Sequence, residues 1–214
     1  SSRFDYLAYF LNSVKVSAWV VIFQVFTSAT AGYVFAKLNF KGRDRIFTLY
    51  LATMMIPSQV TLIPKFILFN EIGISGTHLT LILPGLITVT GTFLMRQYFM
   101  QVPDELRESG YVDGASELRI WAQIMVPIAA PGMASLAMVV FLWNWNNYLD
   151  PLVFLTNWRL YTIPIALTNF IEESVTEYNL VMAASASALL PVFIVFLAGQ
   201  KFFVKGLMAG AVKG

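Results

Sequence analysis

This chain encodes an all-α bundle of membrane-spanning helices; its composition and the lengths of its apolar runs agree on that. Hydrophobic residues make up 57% of its 214 residues and charged residues 12%, with a mean hydropathy of +0.68. Soluble domains carry about 25% charged residues. The apolar residues gather into five runs: Asn12 to Ala36, Ile46 to Phe69, Leu79 to Phe99, Pro127 to Leu149 and Leu180 to Val204. Each supplies the ~20 residues an α-helix needs to cross the hydrocarbon core. In lipid the backbone finds no water to bond, so such runs must be helical. Five spans are expected.

Several function classes are disfavoured at once. A net charge of +2 is too small to suggest a nucleic-acid partner, and without cysteine there is no Cys-based zinc site. The single histidine, His78, reads as an outer loop residue, and no metal site is expected. The sequence has no GxxxxGK[ST], HExxH or GxSxG motif, so it offers no P-loop and no catalytic residues. It starts at Ser1 with no basic segment and cleavage site, so no signal peptide is expected.

Orientation follows from lysine and arginine. Lys37, Lys41, Arg43 and Arg45, then Arg96, Arg107 and Arg119, then Lys201, Lys205 and Lys213 fall on one side, ten of the 14 basic residues. Arg3, Lys15, Lys65 and Arg159 fall on the other. The basic side is cytoplasmic, which places the C-terminus inside and the N-terminus outside. A first span missing from this chain is the expectation that follows.

The spans carry interruptions. Pro57, Ser58, Gln59, Thr61 and Pro64 lie in the second, Pro84 and Gly85 in the third, and Pro191 in the fifth. Proline kinks helices, either for packing or to bend a helix along a polar path. Gln59 is the best candidate for the second, because a lone amide in lipid is costly. The run Ala183-Ala184-Ser185-Ala186-Ser187-Ala188 predicts close helix packing. Gly206 and Gly210 have GxxxG spacing but read as a flexible tail.

Between the third and fourth runs lies a polar island, Gln101 to Gln123. Pro103 suits a first helical turn, and Asp104, Glu105 and Glu108 complement the dipole there. Gly110 and Gly114 can break that helix, and Asp113 or Ser116 can cap a second. Leu118, Trp121, Ile124, Met125 and Ile128 form one helical face, and Pro127 marks the turn into the fourth span. A loop lying on the headgroups fits this pattern as well as a docking element does.

The spacing Glu108-Ser109-Gly110, Gly114, Ile124, Val126-Pro127 resembles the "EAA" signature of permease subunits of binding-protein-dependent ABC importers. That signature is Glu-Ala-Ala, three residues, Gly, nine residues, Ile, one residue, Leu-Pro. Ser109 and Gly110 replace the alanines, and Val126 the leucine. Asp113-Gly114-Ala115-Ser116 is similar to the form in carbohydrate-uptake permeases. So are Asn39-Phe40-Lys41-Gly42-Arg43, Met55-Ile56-Pro57, Trp145-Asn146, Pro151-Leu152 and the ending Val204-Lys205-Gly206 to Ala209-Gly210-Ala211-Val212-Lys213-Gly214. The subtype resembled is that typified by the second permease subunit of the maltose importer.

The resemblance implies a multi-pass subunit of the bacterial cytoplasmic (inner) membrane with six spans, of which five are present here. It makes the whole chain one transmembrane domain, with a coupling loop at about 101–126. Glu108, Ser109, Gly110, Asp113, Gly114, Ala115, Ile124 and Pro127 would meet a cytoplasmic ATPase, Glu108 through a charge contact. The implied partners are a homologous permease, two ATPase subunits, an extracytoplasmic sugar-binding protein and the lipid bilayer. This chain would bind no cofactor, with ATP and Mg on the partner ATPase. The implied activity is half of the translocation path for a sugar or oligosaccharide.

The outer end of the fourth run reads Trp143-Asn144-Trp145-Asn146-Asn147-Tyr148-Leu149-Asp150. Helical spacing puts Trp143, Asn146, Asn147 and Asp150 on one face. The rings fit an interfacial belt; the asparagines need partners or a wet cavity. With Gln59, the residues Trp143, Asn144, Asn146 and Asn147 form a candidate substrate path. The stretch after Pro151, with Thr168, Asn169, Glu172, Glu173 and Glu177, is a solvated loop or a surface that meets the binding protein. The rival readings are an ion-coupled secondary transporter, which needs ionisable residues within the spans, and a structural membrane subunit.

Overall fold

The computed structural model describes residues 5–173 and 178–211, and all regular structure among them is helical. Helix α1 (Tyr6–Lys37) is the first span. It starts where Asp5 Oδ1 accepts the Ala8 N–H at 3.1 Å, as an N-cap does. Its buried face carries Ser13, Ser17, Gln24 and Ser28 among apolar residues, while Leu7, Leu11, Ile22 and Phe26 are exposed. That is inverted relative to a soluble helix and suits packing in lipid, where small and polar residues join helices.

The second run is not one helix. It forms α2 (Arg43–Ala52), a 3-10 turn (Thr53–Met55) and α3 (Leu62–Glu71). Ten residues span only ~15 Å, half of a hydrocarbon core. The break has a local cause. Pro57 disfavours the helical region for the residue before it, and Ile56 sits at φ −82, ψ 114. Thr61 Oγ1 then donates to the Ser58 carbonyl at 2.8 Å, closing a turn. Pro64 is the third residue of α3, where a missing N–H leaves no bond unmade.

The third run is also divided, into α4 (Leu79–Gly85) and α5 (Val89–Met100). Thr88, extended at φ −131, ψ 140, caps α5 by accepting the Gly91 N–H. Four helical stretches are long and apolar enough to cross a membrane among the described residues: Tyr6–Lys37, Leu79–Met100, Glu117–Trp145 and Val181–Gln200. The second run is not among them, because it is broken between Met55 and Leu62.

After the island come α6 (Glu105–Val112), α7 (Glu117–Ile120), a π-turn (Trp121–Met125) and α8 (Val126–Trp145). The stretch expected as an outer loop contains α9 (Leu149–Phe154), a 3-10 turn (Trp158–Leu160) and α10 (Ile163–Glu173). Helix α11 (Tyr178–Ala211) ends the described chain and runs on through Pro191.

The residues form two compact units. The first comprises Ser1–Ile22, Ser58–Leu86 and Met138–Ala198. Here Phe69 packs edge-on against Phe154, ring centres 5.1 Å apart. Asn12 donates from its amide to the Arg159 and Tyr161 carbonyls at 2.9 and 3.1 Å. The small-residue stretch of α11 is a packing face, as its composition predicts. Tyr6 donates to the Ala184 carbonyl at 3.2 Å, and Trp145 Nε1 to that of Ala188 at 3.1 Å. His78 stands at the loop edge, directly before α4, but is buried there, its Nε2 donating to the Leu160 carbonyl at 2.9 Å.

The second unit comprises Phe23–Pro57, Ile87–Ala137 and Gly199–Gly214. Buried Gln24 donates to Thr88 Oγ1 at 2.7 Å, tying α1 to the cap of α5. Arg96 lies over the Phe47 ring at 4.3 Å and donates to the Phe35 carbonyl at 3.2 Å. Gly32 lets α5 approach α1 closely: a Cβ there would stand 2.6 Å from that of Met95.

Candidate functional site

The island folds as a helical hairpin around Gly114, entirely within the second unit. Its first helix, α6, begins two residues after Pro103, with Asp104 at the N-cap position. Its end is a Schellman motif. The Gly114 N–H bonds the Tyr111 carbonyl and the Ala115 N–H the Gly110 carbonyl, both at 2.9 Å. Gly114 has φ 73, a conformation L side chains resist, although nothing lies within 4 Å of where its Cβ would be. Its backbone, not its small size, is what the turn needs.

Gly110 has the opposite reason. It sits inside α6 and breaks nothing. It is buried, and a Cβ there would meet Ile120 Cγ1 at 2.9 Å and Ile124 Cδ1 at 3.2 Å. The glycine lets α6 rest on the following helix, and Ile124 is one of the side chains it rests on. Ser116 occupies the N-cap position of α7 without a side-chain bond, and Asp113 is the exposed C-cap residue of α6. Ser109 Oγ donates to the Leu106 carbonyl at 3.0 Å, and Ala115 is half-buried.

Pro127 does not turn the chain. Helical structure runs without a gap from Glu117 to Trp145. Proline lacks an N–H and its ring crowds the carbonyl four residues back. The helix answers by widening: Trp121–Met125 forms a π-turn, and the Val126 N–H reaches back to the Trp121 carbonyl.

The polar centre of the hairpin is Glu117, which the sequence did not single out. Arg107 donates to it twice, Nε to Oε1 at 3.1 Å and Nη2 to Oε2 at 3.0 Å. The Tyr111 and Tyr33 hydroxyls also donate to it. The bond to Glu117 holds the Arg107 guanidinium above its already high pKa. Nearby, the Lys37 ammonium donates to the Val102 carbonyl at 2.5 Å and to Asp104 Oδ1 at 2.6 Å. The one readable trace was i,i+4 spacing: Arg107 with Tyr111, and Tyr33 with Lys37.

Glu108, on the other side of α6, is exposed and has no side-chain partner among the described residues. Val112, one turn further on, is 87% exposed, and Leu118 is 72% exposed. The hairpin thus has one face bonded to its own chain and one face open, acidic and apolar.

The candidate substrate path is not one surface. Helix α8 ends at Trp145, so Asn146, Asn147 and Asp150 do not continue the face of Trp143. Asn144 and Asn146 donate to carbonyls of α8, Val140 and Leu142, both at 2.8 Å. Asn147 accepts the Asp150 N–H at 3.2 Å and donates to its carboxylate at 2.7 Å, fixing the start of α9. Trp143, Asn146 and Gln59 are exposed. Asn144 and Asn147 line a small cavity of mixed polar and apolar lining with Ser13, Leu81 and Thr162, and the Thr162 hydroxyl there is buried and unpartnered. The side chains of Asn169, Glu172 and Glu173, all of Glu177, and the chain's last three residues lie outside the described residues.

Comparison with known proteins gives the hairpin its setting. The chain is 34% identical over 209 residues to the arabinooligosaccharides transport system permease protein of Bacillus subtilis, covering 98% of this chain and 74% of that protein. It is 35% identical over 204 residues to the lactose transport system permease protein of Rhizobium radiobacter, covering 95% of this chain and 74% of that one. Its fold resembles the crystal structure of a bacterial ABC transporter involved in the import of the acidic polysaccharide alginate. The TM-score is 0.83 at 21% identity, covering 95% of this chain and 76% of that one. A family model described as binding-protein-dependent transport system inner membrane component matches residues 28–208. The chain therefore belongs to this family of inner membrane transport components.

Proposed function

We propose that this chain is one permease half of an ATP-driven importer of a sugar or oligosaccharide, moved by a cytoplasmic ATPase that docks on the open face of α6. The observation that carries the docking assignment is the asymmetry of the hairpin. Glu108 and Val112 stand exposed while Arg107, Gly110 and Tyr111 of the same helix are engaged by Glu117 and Ile120. An exposed apolar residue beside an unpaired acid suits a protein partner with a basic group in an apolar groove.

Charge placement supports a cytoplasmic second unit. Among the described residues Lys37, Lys41, Arg43, Arg45, Arg96, Arg107 and Arg119 belong to it, against Lys15, Lys65 and Arg159 in the first. On this reading the C-terminus is cytoplasmic and the chain is one transmembrane domain. The remaining partners are a homologous permease, a second ATPase subunit and an extracytoplasmic binding protein. ATP and Mg bind to the ATPases. The names of the relatives support a carbohydrate substrate, and exposed Gln59, Trp143 and Asn146 are the side chains free to meet it.

The test is Glu108→Lys. Membrane insertion stays intact, while co-purification of the ATPase and uptake of an arabinooligosaccharide probe both fall by at least about tenfold, equivalent to the loss of one shielded charge-assisted bond. Normal uptake by this variant overturns the docking assignment. Uptake driven by an ion gradient without any ATPase overturns the ATP-driven reading.

A further inference from the structure

Tyr33 and Lys37 lie one turn apart at the inner end of α1, and both are buried, at 2% and 7% exposure. One reaches the short helix α6 directly and the other through α7, across the Gly114 turn. Lys37 holds the entry to α6, through the Val102 carbonyl and the Asp104 carboxylate. Tyr33 holds the far side of the Gly114 turn, through Glu117, which Arg107 ties back to α6. An ammonium kept almost out of water needs both of its oxygens, and the bidentate Arg107–Glu117 pair has a fixed geometry. Neither tie is a loose surface contact.

We infer that Tyr33 and Lys37 are positioning residues that clamp the docking helix to α1 at two points, so that α1 follows any displacement of α6. The inference rests on the reading of α6 as the ATPase-docking helix. It separates two routes for that displacement. Helix α8 is joined to the hairpin covalently, by unbroken helix from Glu117 onward. Helix α1 meets the hairpin through these side chains and through the edge-on contact of Phe26 with Trp121, ring centres 5.8 Å apart, and it also packs on α5, which leads into α6. Severing them removes the polar ties of α1 to the hairpin, leaves only apolar contact with it, and leaves α8 driven.

The test uses the assembled complex with its native ATPase and permease partners. This chain has no cysteine, so one introduced cysteine gives one reporter once the partners' cysteines are replaced. Ile22→Cys reports on α1 and Ala130→Cys on α8; both positions are exposed. A solvatochromic thiol dye is followed on addition of Mg-ATP. In the parent, both reporters respond. In Tyr33→Phe combined with Lys37→Met, the Ile22 response falls at least about fivefold, the lower end of ordinary coupling between sites. The Ala130 response and ATPase co-purification remain. Tyr33→Phe alone lowers the Ile22 response partially.

An unchanged Ile22 response in the double variant overturns the clamp. So does equal loss of both responses with the ATPase still attached, because the two side chains would then be holding the hairpin's shape and not joining it to α1. If the double variant does not assemble, Tyr33→Phe decides in the same way. If the parent itself shows no response and binds no ATPase, the docking reading fails first, and the clamp with it.

Discussion

Arg107 and Glu117 lie ten residues apart on opposite sides of the Gly114 turn and meet through two parallel N–H···O bonds. The pair closes the hairpin that carries the open face of Glu108 and Val112. Both side chains are partly exposed, at 22% and 32%, so solvent weakens the attraction. A double-mutant cycle of Arg107→Gln and Glu117→Gln should give a coupling energy of about 1 kcal/mol, the upper range for such pairs. Denaturant unfolding of the purified protein in detergent measures it. Additive single effects would mean that the pair contributes nothing to stability.

The two glycines of the hairpin should respond differently to the same change. Gly114→Ala places a Cβ at φ 73, with a cost of roughly 1–2 kcal/mol in stability. Gly114→Asn should cost less, since asparagine tolerates that region. At Gly110 the obstacle is space, so Asn gives no relief there, and Gly110→Leu must lift α6 off Ile120 and Ile124. Comparing Ala with Asn at both positions by thermal unfolding separates backbone from packing.

Burial lowers the pKa of His78, and the charge of Lys15 acts in the same direction. A depressed histidine pKa stabilises the fold above the unfolded value of about 6.5, and that stability is lost as pH falls below it. The unfolding midpoint should therefore drop between pH 7 and pH 5. His78→Gln removes this group's contribution and should show a shallower drop. Equal slopes in the two proteins would mean that His78 does not titrate differently on folding.

Asn147 and Asn146 should separate structure from transport. Asn147→Ala removes the bond to the Asp150 N–H and the amide bond to its carboxylate. The expected loss is about 1 kcal/mol of stability, as for other capping side chains. Exposed Asn146 bonds only α8. Asn146→Ala should leave the melting temperature unchanged and alter uptake if it meets substrate. A larger stability loss at Asn146 than at Asn147 would reverse the assignment.

Much of the fold was legible because lipid imposes simple demands. Runs of twenty apolar residues mark spans, and small residues on α11 mark a packing face. Legibility failed where one residue type serves two ends. Pro57 reads as a kink within a span, but with Ile56 extended before it the helical path stops at the 3-10 turn that follows α2. Helical spacing puts Asn146 and Asn147 on the face of Trp143, yet Asn147 is equally suited to stop a helix and start the next. In the hairpin, Gly114 was readable from its place after a polar helix. Gly110 was not, since its reason lies in Ile120 and Ile124, beyond the turn. Glu117 was hidden because one of its donors, Tyr33, is 84 residues away.

The Schellman turn, the seat of Gly110 and the Arg107–Glu117 pair act on the same eight-residue helix. Ordering the backbone of that many free residues costs roughly 8–16 kcal/mol. Here the disorder has been removed at folding, before any partner arrives. A protein that meets Glu108 and Val112 encounters a finished surface, and its binding energy is not consumed in shaping one.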